Sequence, residues 1–341
     1  MLVFLLLDRL LCYPLIRFVY SKVTISSPEI EEGGGINQAL AAHAQGLVLG
    51  SSRAKAHFDP RILASETGLS FFNAGAYGQG TEYSYAIARL MCGVYKPQVF
   101  LVSVDPADIL VSPVTRQGRL NVFKPYIEGY PWLTHIVFSD FNLVSDWRHF
   151  LVRTIKTTHL NGCLTLALRQ GFGERPQGHA GFYPLKKVWV HDPYYFRSPL
   201  SESFDMQAVG GLIRLICLAQ QQHIKLFVCS PPQFRFYEMN QLMPDEIRGY
   251  QGIVQILHLY GVPVIGLNFG SLAQFRDPNY YNDNLHLNTD GAKLLSQIVG
   301  IALHVCLTMP KDEVEGLIPP HDSADDVLPQ DQLLALGQGS F

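Results

Sequence analysis

From about residue 46 to residue 307, short apolar runs alternate with stretches of helical spacing. Gly46-Leu47-Val48-Leu49-Gly50 is a compact apolar run closed by glycine, the pattern of a strand buried on both faces. Ser51 to Pro60 reads as a turn, after which Asp59-Pro60 opens a helix by capping chemistry. Leu69 to Asn73 forms a second short strand, and Thr81 to Tyr95 carries a helical pattern that stops at Lys96-Pro97. Gln98 to Val104 is a third, β-branched strand. Phe204 to His223 predicts a helix, and Lys225 to Cys229 a strand closed by Ser230-Pro231-Pro232. A helix over Asp245 to Tyr260, a strand over Val262 to Leu267 and a last helix over Thr289 to Leu307 follow. Asn288 or Thr289 would cap that last helix.

This alternation predicts an α/β fold, a doubly wound, flavodoxin-like three-layer parallel sheet. Ligands of such sheets bind beyond the carboxyl ends of the strands, so functional residues are expected just after each strand.

The flanks read differently. Residues 112–200 are irregular and aromatic-rich, with helices expected near Asp140 to Arg169 and a glycine-rich loop at 171–181, as in an insertion or lid. Aromatic side chains there, among them Trp132, Tyr183 and Trp189, suit core packing and loop anchoring, with stacking on sugar rings as the functional alternative. Residues 1–25 are strongly apolar but interrupted by Asp8, Arg9, Pro14 and Arg17. They are read as a membrane anchor; an interfacial helix and a helix buried on the domain are the alternatives. Residues 26–45, with Gly33-Gly34-Gly35, read as a linker. After Pro310 the chain turns acidic, and 311–341 is expected to be a poorly ordered tail.

Composition narrows the function classes. A chain that is 48% hydrophobic can fill a core, which excludes a disordered protein. A polytopic membrane protein is excluded because no uninterrupted apolar run of about eighteen residues follows the amino terminus. Twenty-six basic and 29 acidic residues give a net charge of −3, so nothing marks a nucleic-acid partner. The six cysteines are scattered, mostly in apolar runs, and are read as buried free thiols; oxidised pairs stay open if the body is exported. No CxxC or HExxH pattern occurs, so neither metal nor cofactor is expected.

Three post-strand segments carry candidate chemistry: Gly50-Ser51-Ser52-Arg53, Asn73 to Gly80, and Asp283-Asn284-Leu285-His286. The expected topology brings all three to one sheet edge. Ser52 can serve as nucleophile, His286 as its base, and Asp283 as the group that orients the imidazole and stabilises its charged form. Backbone amides of Ser52 and Gly78 can receive an oxyanion. Gly78, Arg53 and Gln79 are the candidates for oxyanion and substrate contacts. Each residue has a blander role: Ser52 as a turn or cap, with Ser51 the alternative nucleophile; His286 as a core histidine; Asp283 as a helix cap; Arg53 in a surface ion pair. The glycines at 75, 78 and 80 do not have the order of a dinucleotide loop.

In these segments the sequence resembles the SGNH (GDSL-type) hydrolase superfamily. Gly50-Ser51-Ser52 is similar to its first block, Gly78 to the glycine of its second, and Asp283-x-x-His286 to its last. The apolar amino terminus with Asp8-Arg9, the Gly-Ser-Ser-Arg turn and the Asn-x-Gly-x-x-Gly second block resemble the membrane-anchored, extracytoplasmic branch associated with bacterial cell-surface polysaccharides. The resemblance spans about Leu47 to Leu307. It implies a serine esterase or O-acyltransferase acting on acyl esters, with acetyl the expected group, of a surface glycan. It implies no cofactor, and a membrane partner through the amino terminus. One departure stands out. The family's third block, Gly-x-Asn-Asp, follows the third strand and supplies an asparagine to the oxyanion site; here that strand runs into Val104-Asp105-Pro106. An acidic Asp105 would oppose an oxyanion unless it points away or is protonated. The alternative is therefore a non-catalytic binding or assembly protein that keeps the same shell.

Overall fold

The computed structural model describes residues 2–22, 34–111, 119–127, 129–137, 155, 179–189, 203–234, 244–266, 272–321 and 326–338. Five parallel strands form one sheet: β1 (Gly46–Leu49), β2 (Phe71–Asn73), β3 (Val99–Ser103), β4 (Lys225–Cys229) and β5 (Val264–Gly266). Their order is β2-β1-β3-β4-β5, the flavodoxin-like order. Successive strand residues point to opposite faces, and two hydrophobic cores result. Leu47, Leu49, Phe100, Val102, Leu226 and Val228 face one; Val48, Val99, Leu101, Phe227 and Cys229 face the other. Helices cover both, giving three layers.

In chain order among the described residues, the helices are α1 (Leu2–Lys22), α2 (Gly34–Ala42), α3 (Ser52–His57), α4 (Pro60–Thr67), α5 (Thr81–Cys92), α6 (Pro106–Ile109), α7 (Leu133–Val137), α8 (Met206–Gln221), α9 (Pro244–Leu259), α10 (Thr289–Thr308), α11 (Lys311–Glu315) and α12 (Gln330–Gln338). Helices α5, α8 and α9 fill the first core, and α10 packs with α3 and α4 over the second. Asp59 caps α4 by accepting from the Arg61 N–H, and Asn288 caps α10 by accepting from the Asp290 and Gly291 N–H groups. Helix α10 is long and apolar enough to cross a membrane. It is nevertheless a core helix, with Leu295, Val299 and Leu303 fully buried.

The structure departs from the sequence reading in three places. The turn expected over Ser51–Pro60 contains α3. The expected 26–45 linker contains α2, whose Ile36 and Ala39 are buried. The described parts of the expected poorly ordered tail, 311–321 and 326–338, are instead folded onto the body. Leu328 and Leu333 are buried, the Gln255 amide donates to the Leu328 carbonyl at 2.8 Å, and the Tyr260 hydroxyl donates to the Leu333 carbonyl at 2.8 Å. A few leucines on α12 and just before it outweigh the acidic composition around them. The amino-terminal segment forms α1, in which Asp8 and Cys12 are buried while Val3, Phe4, Leu6, Leu7, Leu10 and Leu11 face outward. Cys92, Cys217, Cys229 and Cys306 are free thiols. The helices expected near Asp140 to Arg169 and most of the glycine-rich loop lie outside the described residues.

Candidate active site

β1 lies between β2 and β3, so the chain leaves it in one direction and later returns on the other side. That reversal opens a crevice at the carboxyl end of β1. Gly50 makes the turn there with φ 142°, and a Cβ on it would lie 2.6 Å from the Ser103 carbonyl of β3. Only glycine fits so close an approach in that conformation. Ser51 follows in an extended conformation and makes no side-chain cap bond, and Ser52 is the first helical residue of α3.

His286 reaches the same edge from a loop closed on itself. Tyr281 and Leu287 form an antiparallel bridge, and the Asn282 N–H donates to the His286 carbonyl at 2.8 Å. Asp283 turns its carboxylate inward, accepting from the Leu285 and His286 N–H groups, both at 2.8 Å. His286 Nδ1 lies 3.0 Å from both Asp283 carboxylate oxygens, and its Nε2 lies 2.8 Å from Ser52 Oγ. Serine, histidine and aspartate thus stand in one line, the first two 234 positions apart in sequence. Burial alone would raise the Asp283 carboxyl. The hydrogen bond and charge of His286 and the two backbone donors outweigh it and hold the group well below the usual carboxylate range. Asp283 therefore stays ionised and fixes the proton of His286 on Nδ1, which leaves Nε2 to accept from the serine.

The second segment is pinned to the first by Asn73, which the sequence reading placed in a motif without giving it a role. Its side-chain amide donates to the carbonyls of Ala54 at 2.7 Å and Phe58 at 2.9 Å, and its oxygen accepts from the Gly75 N–H at 3.0 Å. The following turn carries Gly78 at φ 68°, with nothing within 4 Å of where a Cβ would be. This backbone borders open space beside the crevice. Gln79 is buried in the same turn, its N–H donating to the Ala76 carbonyl at 3.3 Å.

Arg53 is not the surface residue that an exposed ion pair would make it. It is buried and forms an ion pair with Asp105, which also accepts from Ser230 Oγ at 3.3 Å and Gln233 Nε2 at 3.1 Å. The carboxylate after β3 is thereby neutralised and turned toward the end of β4. It does not act as an unpaired charge against an oxyanion. Neither does it replace the missing asparagine, because a carboxylate has no hydrogen to donate.

The piece of the insertion over residues 179–189 runs across this edge. Ala180 accepts from the Asn73 N–H at 2.8 Å, the Tyr183 N–H donates to the Lys55 carbonyl at 3.1 Å, and the Trp189 N–H donates to the Tyr281 carbonyl at 2.8 Å. It straps the β2 end to the histidine loop, and Tyr183 meets Tyr77 edge-to-face. Trp132 instead packs against the first core, under the Arg89 guanidinium. Among the described residues no cluster of three or more His, Cys, Asp or Glu side chains is arranged to hold a metal ion.

The fold and this line of side chains define an α/β protein with a serine–histidine–aspartate constellation at its switch point. No family model matches the chain, and no curated protein is significantly similar to it.

Proposed function

We propose that the chain is an SGNH-type serine esterase or O-acyltransferase acting on acyl esters, acetyl foremost, of a cell-surface polysaccharide. The observation that carries this reading is the relay from Ser52 through His286 to Asp283, at 2.8 Å and 3.0 Å. Ser52 Oγ attacks the ester carbonyl as its proton passes to His286 Nε2. The negative charge on the carbonyl oxygen falls to the backbone N–H groups of Ser52 and Gly78. The carbon–oxygen bond to the sugar then breaks, and the sugar oxygen takes the proton from His286. Water or a second sugar hydroxyl attacks the acyl-serine and gives its proton to His286, which passes it to Ser52 Oγ as the acyl–oxygen bond to the serine breaks. A hydrolase and a transferase differ only in that acceptor.

The outward face of α1 supports a membrane location; the extracytoplasmic side is what the family resemblance implies. An apolar exterior over a packed stripe that includes Asp8 inverts the usual amphipathic order and suits a lipid surface. The full chain is expected to co-sediment with phospholipid vesicles, and a chain that stays in the supernatant overturns this part. One observation favours a second reading, a non-catalytic polysaccharide-assembly protein: Asp105, locked to Arg53, stands where the family has its oxyanion asparagine.

The deciding experiment is labelling with a fluorophosphonate probe, read by mass spectrometry. The serine-enzyme reading expects an adduct on Ser52 that disappears in Ser52→Ala and His286→Ala. Folded protein that gives no adduct, or an adduct that survives His286→Ala, sinks it.

A further inference from the structure

His57 ends α3, five residues after Ser52, and its side chain is fully buried. Its Nε2 accepts the backbone N–H of Leu287 at 2.9 Å, on the residue immediately after His286. The two imidazole rings meet edge-to-face at 6.0 Å. The His57 carbonyl is held from the other side by Ser296 Oγ of α10 at 3.2 Å, and Ser296 Oγ also accepts the Asp59 N–H at 2.8 Å. The helix that presents the nucleophile and the loop that presents the base are thus joined through one buried imidazole. A ring nitrogen accepts a hydrogen bond only when it carries no proton, so the ring is neutral with its hydrogen on Nδ1.

We infer that His57 is a positioning residue for the serine relay, its neutral ring fixing the His286 loop at hydrogen-bonding distance from Ser52. The inference rests on the esterase reading for its consequence, while its geometry stands apart from that reading. A positive charge on His57 would be doubly harmful. It would turn the acceptor for Leu287 into a donor, and it would oppose the imidazolium formed on His286 when Ser52 gives up its proton. The surroundings keep it neutral. Burial lowers its pKa well below the usual histidine value, nearby His286 and Arg53 lower it further, and Asp283 acts in the opposite sense. Those are the charged and titratable groups that face it: Arg53 from its own helix, His286 and Asp283 from the loop. α10 contributes the uncharged Ser296.

The test compares His57→Leu, which removes the acceptor, with His57→Gln, whose side-chain oxygen lies the same number of bonds from Cα as Nε2. Circular dichroism first establishes that each is folded. The expected result is that His57→Leu slows labelling of Ser52 about a hundredfold and lowers kcat on an acyl ester with little change in KM, while His57→Gln restores most of the rate. The acid limb of the pH–rate profile should be unmoved in His57→Gln, because His57 does not titrate there. A Leu variant as fast as wild type, a Gln variant as slow as Leu, or a displaced acid limb in Gln overturns the inference. A second readout does not depend on activity: the downfield proton resonance of His286 Nδ1 against Asp283 should persist in wild type and His57→Gln and broaden away in His57→Leu. That pattern in a protein the probe never labels would leave the positioning role standing and sink the esterase reading. A resonance retained in His57→Leu sinks the positioning role.

Discussion

Three histidine–carboxylate pairs stand in the described part of this molecule, and they differ in what lies across the ring. His179 Nε2 meets Asp59 at 2.7 Å, and His321 Nε2 meets Asp326 at 2.7 Å. In both, the outer nitrogen faces the carboxylate, and among the described residues no serine stands on the far side. His286 is turned the other way: Nδ1 faces Asp283 and Nε2 is given to Ser52. The carboxylates differ too. Asp59 is shared with Arg61 and caps α4, a structural use. Among the described residues, Asp283 is tied to its own loop and ring, through the Leu285 and His286 N–H groups, Asn282 and the imidazole. A histidine beside an aspartate is therefore a common electrostatic tie; the relay is defined by ring orientation and by a hydroxyl on the opposite nitrogen.

The largest expected effect breaks that comparison where it is sharpest. Asp283→Asn keeps the shape of the loop but allows the wrong tautomer of His286. Labelling of Ser52 should fall about a thousandfold or more. His179→Ala and His321→Ala, which remove equally close contacts, should leave the labelling rate of folded protein nearly unchanged. An Asp283→Asn variant that reacts at the wild-type rate would dissolve the distinction. So would a His179→Ala variant as impaired as His286→Ala.

The same contrast shows what the sequence could carry. Strand β4 falls on Lys225–Cys229 as expected, because an apolar run between a helix and Ser-Pro-Pro leaves little freedom. Ser52, Asp283 and His286 were legible because each follows a strand or precedes a helix in a spacing with chemical meaning. α3 was not, because Ser-Arg-Ala-Lys-Ala-His has no apolar stripe; its burial, including Arg53 and Lys55, is imposed by neighbours distant in sequence. The fate of Asp105 was hidden for the same reason, since its partner Arg53 lies in another post-strand turn. His57 has no motif, and its partner is a backbone N–H 230 residues away. The tail misled because composition averages over the few leucines that pack. Local pattern fixes strands and turns; contacts between separate turns need the fold.

The smallest effect sharpens the comparison from the structural side. Asp59→Ala removes the acceptor for the Arg61 N–H at the start of α4 and the partner of His179, at a cost of about 1 kcal/mol in stability, rising toward ~2 in a strong cap. Asp59→Asn keeps a capping oxygen and loses only the charge, so comparing the two separates cap from ion pair. Burial raises the Asp59 carboxyl, but hydrogen bonds from His179 and Arg61 and the charge of His179 outweigh it and leave the group below its ordinary value. A carboxyl depressed in the folded state stabilises fully above its unfolded pKa, about 4. That contribution disappears as pH falls through the folded value. The difference in urea midpoint between wild type and Asp59→Asn should therefore be fully present just above about pH 4 and close as pH falls below it. Ser52 should still be labelled at the wild-type rate in every folded sample. A gap that widens as pH falls below about 4 would mean that His179 and Arg61 do not stabilise the ionised carboxylate. A labelling rate that falls with stability would mean that this second histidine–aspartate pair is not independent of the first.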